Sequence, residues 1–145
     1  MTPIYTWYEE TGTAICKITD EQGREFIGTA VTHELDKDFQ SEKTGMTIAA
    51  TRAAIKYLQS VRKDILRPQL AALKQLYYSM NRSKHFNPKS YEARMLYRQI
   101  KIKEEDIHSV NLEIDRYKTF LRQYINEKEE FYIATRKRRE QGEKD

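Results

Sequence analysis

The chain has 145 residues, 39% of them hydrophobic and 33% charged, with only 5 Gly, 3 Pro and one cysteine. Scarce Gly and Pro beside abundant charge suit long amphipathic helices better than a compact globule. A single cysteine excludes an intrachain disulfide and a paired-cysteine zinc site, and it fits a reducing compartment. No stretch approaches 18 apolar residues, and the start MTPIYTWYEE has neither a basic nor an apolar leader region, so neither membrane spanning nor secretion is expected. The net charge of +4 hides an asymmetry: residues 1–45 hold four Lys/Arg against nine Asp/Glu, and residues 46–145 hold 22 against 13. The plainer reading is a solvated helix surface that is basic on balance. The functional one is a basic arm that meets nucleic acid or an acidic protein, with an acidic head held away from phosphate.

Residues 3–9 (PIYTWYE), 13–19 (TAICKIT) and 24–33 (REFIGTAVTH) read as three strands of an antiparallel meander, separated by Thr11-Gly12 and by Asp20-Glu21-Gln22-Gly23. Ala14, Cys16 and Ile18 share one face of the second strand, and Phe26, Gly28 and Ala30 share one face of the third. These are mostly small, which lets a helix approach closely. Ile15, Ile27 and Val31 lie on the opposite face, which is also apolar, although a bulge would exchange the faces. One helix covers one face; the other needs the far end of a long helix, a second copy or a partner.

Residues 34–44 read as an acidic loop, with Ser41 and Thr44 as alternative caps of a first long helix. Gly45 is a poor interior residue, so a start after it is open. Ala49, Ala50, Ala53 and Ala54 form a close-packing segment matched to the small sheet residues. Pro68 interrupts the helix, and the apolar spacing resumes at Leu70 one residue out of register. That predicts a kink, or a short break with the proline opening a new helix. Residues 81–87 break the period, and Asn87-Pro88 signals a new start.

From there a run at heptad spacing contains Leu96, Ile100, Lys103, Ile107, Val110, Ile114, Tyr117, Leu121, Tyr124, Lys128 and Phe131. This is a coiled-coil seam on a helix of about 75 Å. A short connection between two helices predicts antiparallel neighbours. The expected class is therefore α+β: a three-stranded antiparallel sheet followed by a long antiparallel helical hairpin. The expected divisions are a head over 1–43, a first helix over 44–82 kinked near Pro68, a second over 88–138, and a disordered tail over 139–145. The last part of the second helix overruns the hairpin, and its Leu121, Tyr124, Phe131 and Tyr132 are expected to cover the sheet or to dimerise.

His33, Glu34, Asp36, Asp38 and Glu42 are the only cluster of ligand-type residues. A calcium loop begun at Asp36 needs Gly and Glu where Ser41 and Thr47 stand, so no metal is expected. His33, His85 and His108 have no nucleophile beside them, and no phosphate-cradling glycine motif exists, so no enzyme and no cofactor are expected. Arg136, Lys137, Arg138 and Arg139 are candidate phosphate ligands, though basic residues at a helix end also favour the macrodipole. Tyr5, Trp7 and Tyr8, with Ile15, Ile27, Val31, Tyr124, Phe131 and Tyr132, are candidate interface residues or ordinary packing.

Two resemblances fall in residues 26–58. Gly28-Thr29-Ala30 followed by Ala49-Ala50-Thr51-Arg52-Ala53-Ala54-Ile55-Lys56-Tyr57-Leu58, in the order three strands then helix, resembles the later part of a double-stranded RNA-binding domain. That family reads RNA through lysines at the start of its last helix, where this chain has Ser41-Glu42-Lys43-Thr44. The stretch from Gly28 to Leu58, with its His33, Asp36-Lys37-Asp38-Phe39, Ser41-Glu42 and Ile48-Ala49, is similar to short uncharacterised proteins of phages and prophages of Gram-positive bacteria. This resemblance implies a phage source and a setting in the bacterial host cytoplasm. The expected function is a non-enzymatic interaction module that binds, and inhibits, a bacterial host protein. The alternatives are a nucleic-acid-binding protein that uses the basic helical arm, or a structural component of a phage or other complex; a second copy of the chain, forming a homodimer, is a further candidate partner.

Overall fold

The computed structural model describes residues 2–32 and 34–142, leaving aside the side chains of Glu34, Leu35 and Asp38. Strands β1 (Ile4–Tyr8), β2 (Thr13–Thr19) and β3 (Glu25–Val31) precede a 3-10 helix (Glu34–Phe39). Then come α1 (Glu42–Ser60), a π-helical segment (Val61–Leu66), α2 (Arg67–Asn81) and α3 (Tyr91–Gly142). The class is α+β. The chain divides into two compact units, one of Met1–Tyr57 with Asp115–Asp145 and one of Leu58–Ile114.

In the first unit the sheet is antiparallel in the order β1-β2-β3. Ala14 pairs with Ala30, Cys16 with Gly28 and Ile18 with Phe26, so the small residues share one face as their spacing predicts. No bulge displaces them. In the β2–β3 loop the Asp20 carboxylate accepts from the Gln22 and Arg24 amides at 2.9 and 2.8 Å, and Gly23 takes φ 83°. Ala14, Cys16, Ala49 and Ala53 are completely buried, with Ala30 nearly so, and Trp7, Ile18, Met46 and Ile48 pack around them. A Cβ on Gly28 would overlap the Ala49 carbonyl and lie 2.5 Å from the Ala53 nitrogen, so only glycine lets α1 come this close. Gly45 has the same reason to lie inside α1: its Cβ would stand 3.0 Å from that of Ala14 and 3.1 Å from the Trp7 ring. Packing against the sheet thus outweighs the low helix propensity that left the start of α1 open.

Ser41, rather than Thr44, caps α1, its hydroxyl accepting from the Thr44 amide at 3.3 Å. The acidic stretch before it is a 3-10 helix and not a loop. Arg52 and Lys56 reach back from α1 and donate to the Thr29 and Ile27 carbonyls, both at 2.7 Å, which blunts the β3 edge.

In the second unit the break expected at Pro68 is a π-helical turn just before it, where the Arg67 amide donates to the Arg62 carbonyl. Proline has no N–H, and its ring clashes with the carbonyl four residues back. Widening the preceding turn relieves both, and it inserts the single residue by which the apolar pattern slips. Arg62 donates to Asn111 Oδ1 and Lys103 to Gln69 Oε1, each at 2.8 Å, and the Tyr77 ring meets those of Tyr97 and Phe86.

Helix α3 starts at Tyr91, three residues after Pro88. Asn87 instead closes a turn onto the Lys89 amide at 2.9 Å, and Ser90 is the cap, accepting from the Ala93 amide at 3.2 Å. The helix runs on to Gly142, so residues 139–142 of the expected tail are helical; residues 143–145 lie outside those described. Of the heptad seam, Ile100 and Ile114 are buried and the rest half-buried down to Lys128, but Phe131 is exposed and Tyr132 takes its place. A straight helix drifts against a strict heptad, so the buried stripe steps by one residue near its end.

Candidate protein interface

The sheet-and-helix unit separates the candidate interface residues into three places. Strand alternation puts Tyr5 and Trp7 on the α1 side, opposite Cys16 and Ala14. Trp7 packs on the alanine core, and Tyr5 borders a groove with Glu42, Met46 and Ala50. Neither belongs to the outer face. That face is built from Ile4, Thr6 and Tyr8 of β1, Ile15 and Lys17 of β2, and Glu25, Ile27, Thr29 and Val31 of β3. Ile4 is 56% exposed, Tyr8 52%, Ile27 41% and Val31 68%, so nothing among the described residues covers them. Lys17 and Glu25 form an ion pair at 3.4 Å at one end of the face. Ile4 is missing from the sequence-derived candidates, although the two-residue period that places Tyr8 outward also places Ile4 there.

The end of α3 does not cover this face. Tyr132 stacks on Phe39 of the 3-10 helix, with ring centroids 4.9 Å apart and planes at 14°, and Phe131 meets the same ring edge-on at 6.4 Å. Ile125 and Tyr132 border a gap of about 140 Å³ with Gly12, Thr32, Phe39 and Ile48. That is well short of the several hundred Å³ of a cofactor pocket. Burial, reinforced by the nearby charges of Asp36 and Tyr124, raises the Tyr132 hydroxyl above the ordinary tyrosine range, against a hydrogen bond with Thr44. Tyr124 stacks on Phe120 at 5.5 Å beneath the Lys128 ammonium.

The four candidate phosphate ligands also divide. Arg136 Nη1 lies 3.0 Å from Asp36 Oδ1, and the Arg139 guanidinium lies 5.0 Å over the Phe39 ring. Both are therefore engaged in holding the 3-10 helix to α3, whereas Lys137 and Arg138 are exposed, the latter within 3.4 Å of Thr135. Of the acidic cluster, His33 lies outside the described residues and the side chains of Glu34 and Asp38 are likewise not described; among the described residues no three His, Cys, Asp or Glu are grouped for a metal. Cys16 is fully buried, and desolvation raises its thiol above the ordinary range, the opposite of what activates a nucleophile. Among the described residues no helix is long and apolar enough to cross a membrane. No protein-family model, curated protein or solved structure matches the chain.

Proposed function

We propose that the chain is a non-enzymatic protein-interaction module whose outer sheet face docks on a protein partner. The observation that carries this is the exposure of Ile4, Tyr8, Ile27 and Val31 on one contiguous side of a three-stranded sheet. Scattered apolar residues on a surface need no explanation, but a sheet face with large apolar side chains on all three strands is the composition of an interface core. A protein partner fits better than a small ligand, because the exposed apolar side chains are spread over a whole sheet face. The resemblance of residues 28–58 to phage proteins supports a phage source and a bacterial host protein as the partner, with inhibition by occupation of its surface.

We also infer that the helices of the second unit form an antiparallel hairpin. Arg62 meets Asn111, Gln69 meets Lys103 and Tyr77 meets Tyr97, so position rises along one helix as it falls along the other. The seam of half-buried residues on α3 is what a coiled-coil pairing requires.

The test is capture from bacterial lysate by the intact chain and by an Ile27→Lys, Val31→Lys variant, with circular dichroism on both. A host protein retained by the first and lost by the second, at unchanged helicity, is the expected result. Equal capture by both, or a dimer in sedimentation that the variant dissolves, would replace a host partner with another surface or a second copy.

A further inference from the structure

The positive charge of this chain is concentrated away from the basic cluster at its end. Residues 65–103 contain nine Lys or Arg and one acid, Glu92. All nine but Lys103, which is bound to Gln69, are exposed. On α2 the residues Lys74 and Tyr78, with Arg82 at its C-cap, follow at steps of four, which forms one stripe. On α3 the residues Arg94, Arg98 and Lys101 follow at steps of four and three, with Tyr91 one turn before them. Tyr91 is 67% exposed, so its ring is open to a ligand; Tyr78 is 56% exposed, with the Arg82 guanidinium 4.4 Å from one face of its ring and donating to its hydroxyl at 3.0 Å.

The two stripes face the same way. The half-buried seam of α2 runs through Leu70, Leu73, Tyr77 and Met80, and the seam of α3 through buried Ala93, half-buried Leu96 and buried Ile100. At 100° per residue both stripes lie roughly a quarter to half a turn from their seams, in the same rotational sense. For two right-handed helices running in opposite directions, the same sense leads to the same flank. The Gln69–Lys103 contact lies on the other sense of rotation on both helices, and there it joins the two side chains at 2.8 Å. The opposite flank carries a groove lined by Ala72, Leu73, Leu76, Gln99 and Ile102, whose single cation, Lys103, is the one bound to Gln69.

We propose that this flank of α2 and α3 binds the phosphate backbone of a single-stranded nucleic acid, with Tyr78 and Tyr91 as stacking platforms. Cations interleaved with open aromatic rings are the pattern of single-strand recognition, in which guanidinium and ammonium groups track phosphates while the rings take bases. Lys101 shares its charge with Glu104 at 3.9 Å, so the arginines carry the larger part. The assignment rests on the antiparallel pairing proposed above.

The test is fluorescence anisotropy of a labelled 20-nucleotide single-stranded oligonucleotide titrated with the full chain from 50 to 200 mM salt. About five contacts give a slope near −3.5 in log affinity against log salt. Arg94→Gln with Arg98→Gln removes two contacts, which at about 0.1 M salt weakens binding about 25-fold and lowers the slope by about 1.4. Tyr91→Ala weakens the single strand without changing the slope. Lys137→Gln with Arg138→Gln changes neither. No binding at 50 mM salt, a double-arginine variant that binds as the parent does, equal loss at Lys137 and Arg138, or retention only on phosphatidylserine vesicles overturns the proposal. Oxidative cross-linking of Gln69→Cys with Lys103→Cys tests the helix pairing separately, so a chain that cross-links but does not bind refutes the nucleic-acid assignment alone.

Discussion

Gly28→Ala is the sharpest perturbation of the sheet–helix contact. The added Cβ overlaps the Ala49 carbonyl and meets the Ala53 nitrogen at 2.5 Å, both backbone atoms of α1. No side chain can turn away, so the helix itself must retreat by on the order of 1 Å to restore ordinary contact, and such a gap forfeits a quarter to a half of the dispersion energy across it. The methyl groups of Ala14, Ala30, Ala49 and Ala53 line that contact. At about 0.8 kcal/mol each they are worth about 3 kcal/mol together, of which about 1 kcal/mol is lost. Strain from overpacking adds about 1–3 kcal/mol. A total of about 2–4 kcal/mol lowers a urea midpoint by about 1–2 M. Trp7, the single tryptophan, packs on this core and reports its unfolding by fluorescence independently of the second unit. Because the clash is with backbone, Ala49→Gly will not rescue the variant. A Gly28→Ala chain within about 0.5 kcal/mol of the parent, the range of an ordinary surface change, would refute the close approach.

Two further predictions concern titrating groups. Burial alone would raise the Asp20 carboxyl, but hydrogen bonds from the Arg24 amide and guanidinium and from the Gln22 amide, with the Arg24 charge, outweigh it and hold the group below its ordinary value. Its folded form thus binds a proton less readily than its unfolded form, so its contribution is complete above the ordinary carboxyl range and fades as pH falls below about 4. Asp20→Asn is expected to flatten the acid limb of a stability–pH profile measured by urea titration, and an unchanged limb would show the loop network to be idle. Cys16, buried and with its thiol raised, is expected to resist a thiol reagent at pH 8 in the folded chain and to react at once in denaturant; fast labelling of the folded chain would show that α1 lifts from the sheet.

The sheet was the most legible part of the chain, because a two-residue period assigns faces without knowledge of the partner strand. The same period puts Tyr5 and Trp7 inward and Ile4 outward, which composition alone obscures, since aromatic residues crowd the first strand. The single-residue slip around Pro68 carried the information needed for a π turn, but the proline suggested a kink at its own position. Ser41 as the cap and Gly45 inside α1 depend on how closely the sheet lies, which no local propensity contains. Arg136 and Arg139 read as phosphate ligands because Asp36 and Phe39, which engage them, are distant in sequence. The charge of residues 65–103 was visible throughout, yet averaging from residue 46 onward mixed it with the acids of Glu104, Glu105 and Asp106.

The π turn at Val61–Leu66 acts as a phase adjuster for everything that follows it in the second unit. Removing one residue there would let an unbroken α-helix form, and because the wide turn takes up that one extra residue, α2 would keep its rotation. Lys74 and Tyr78 would stay exposed, and Leu73 and Tyr77 would stay half-buried. A one-residue deletion, which elsewhere in a helix turns everything after it by about 100°, would here leave the faces of α2 as they are.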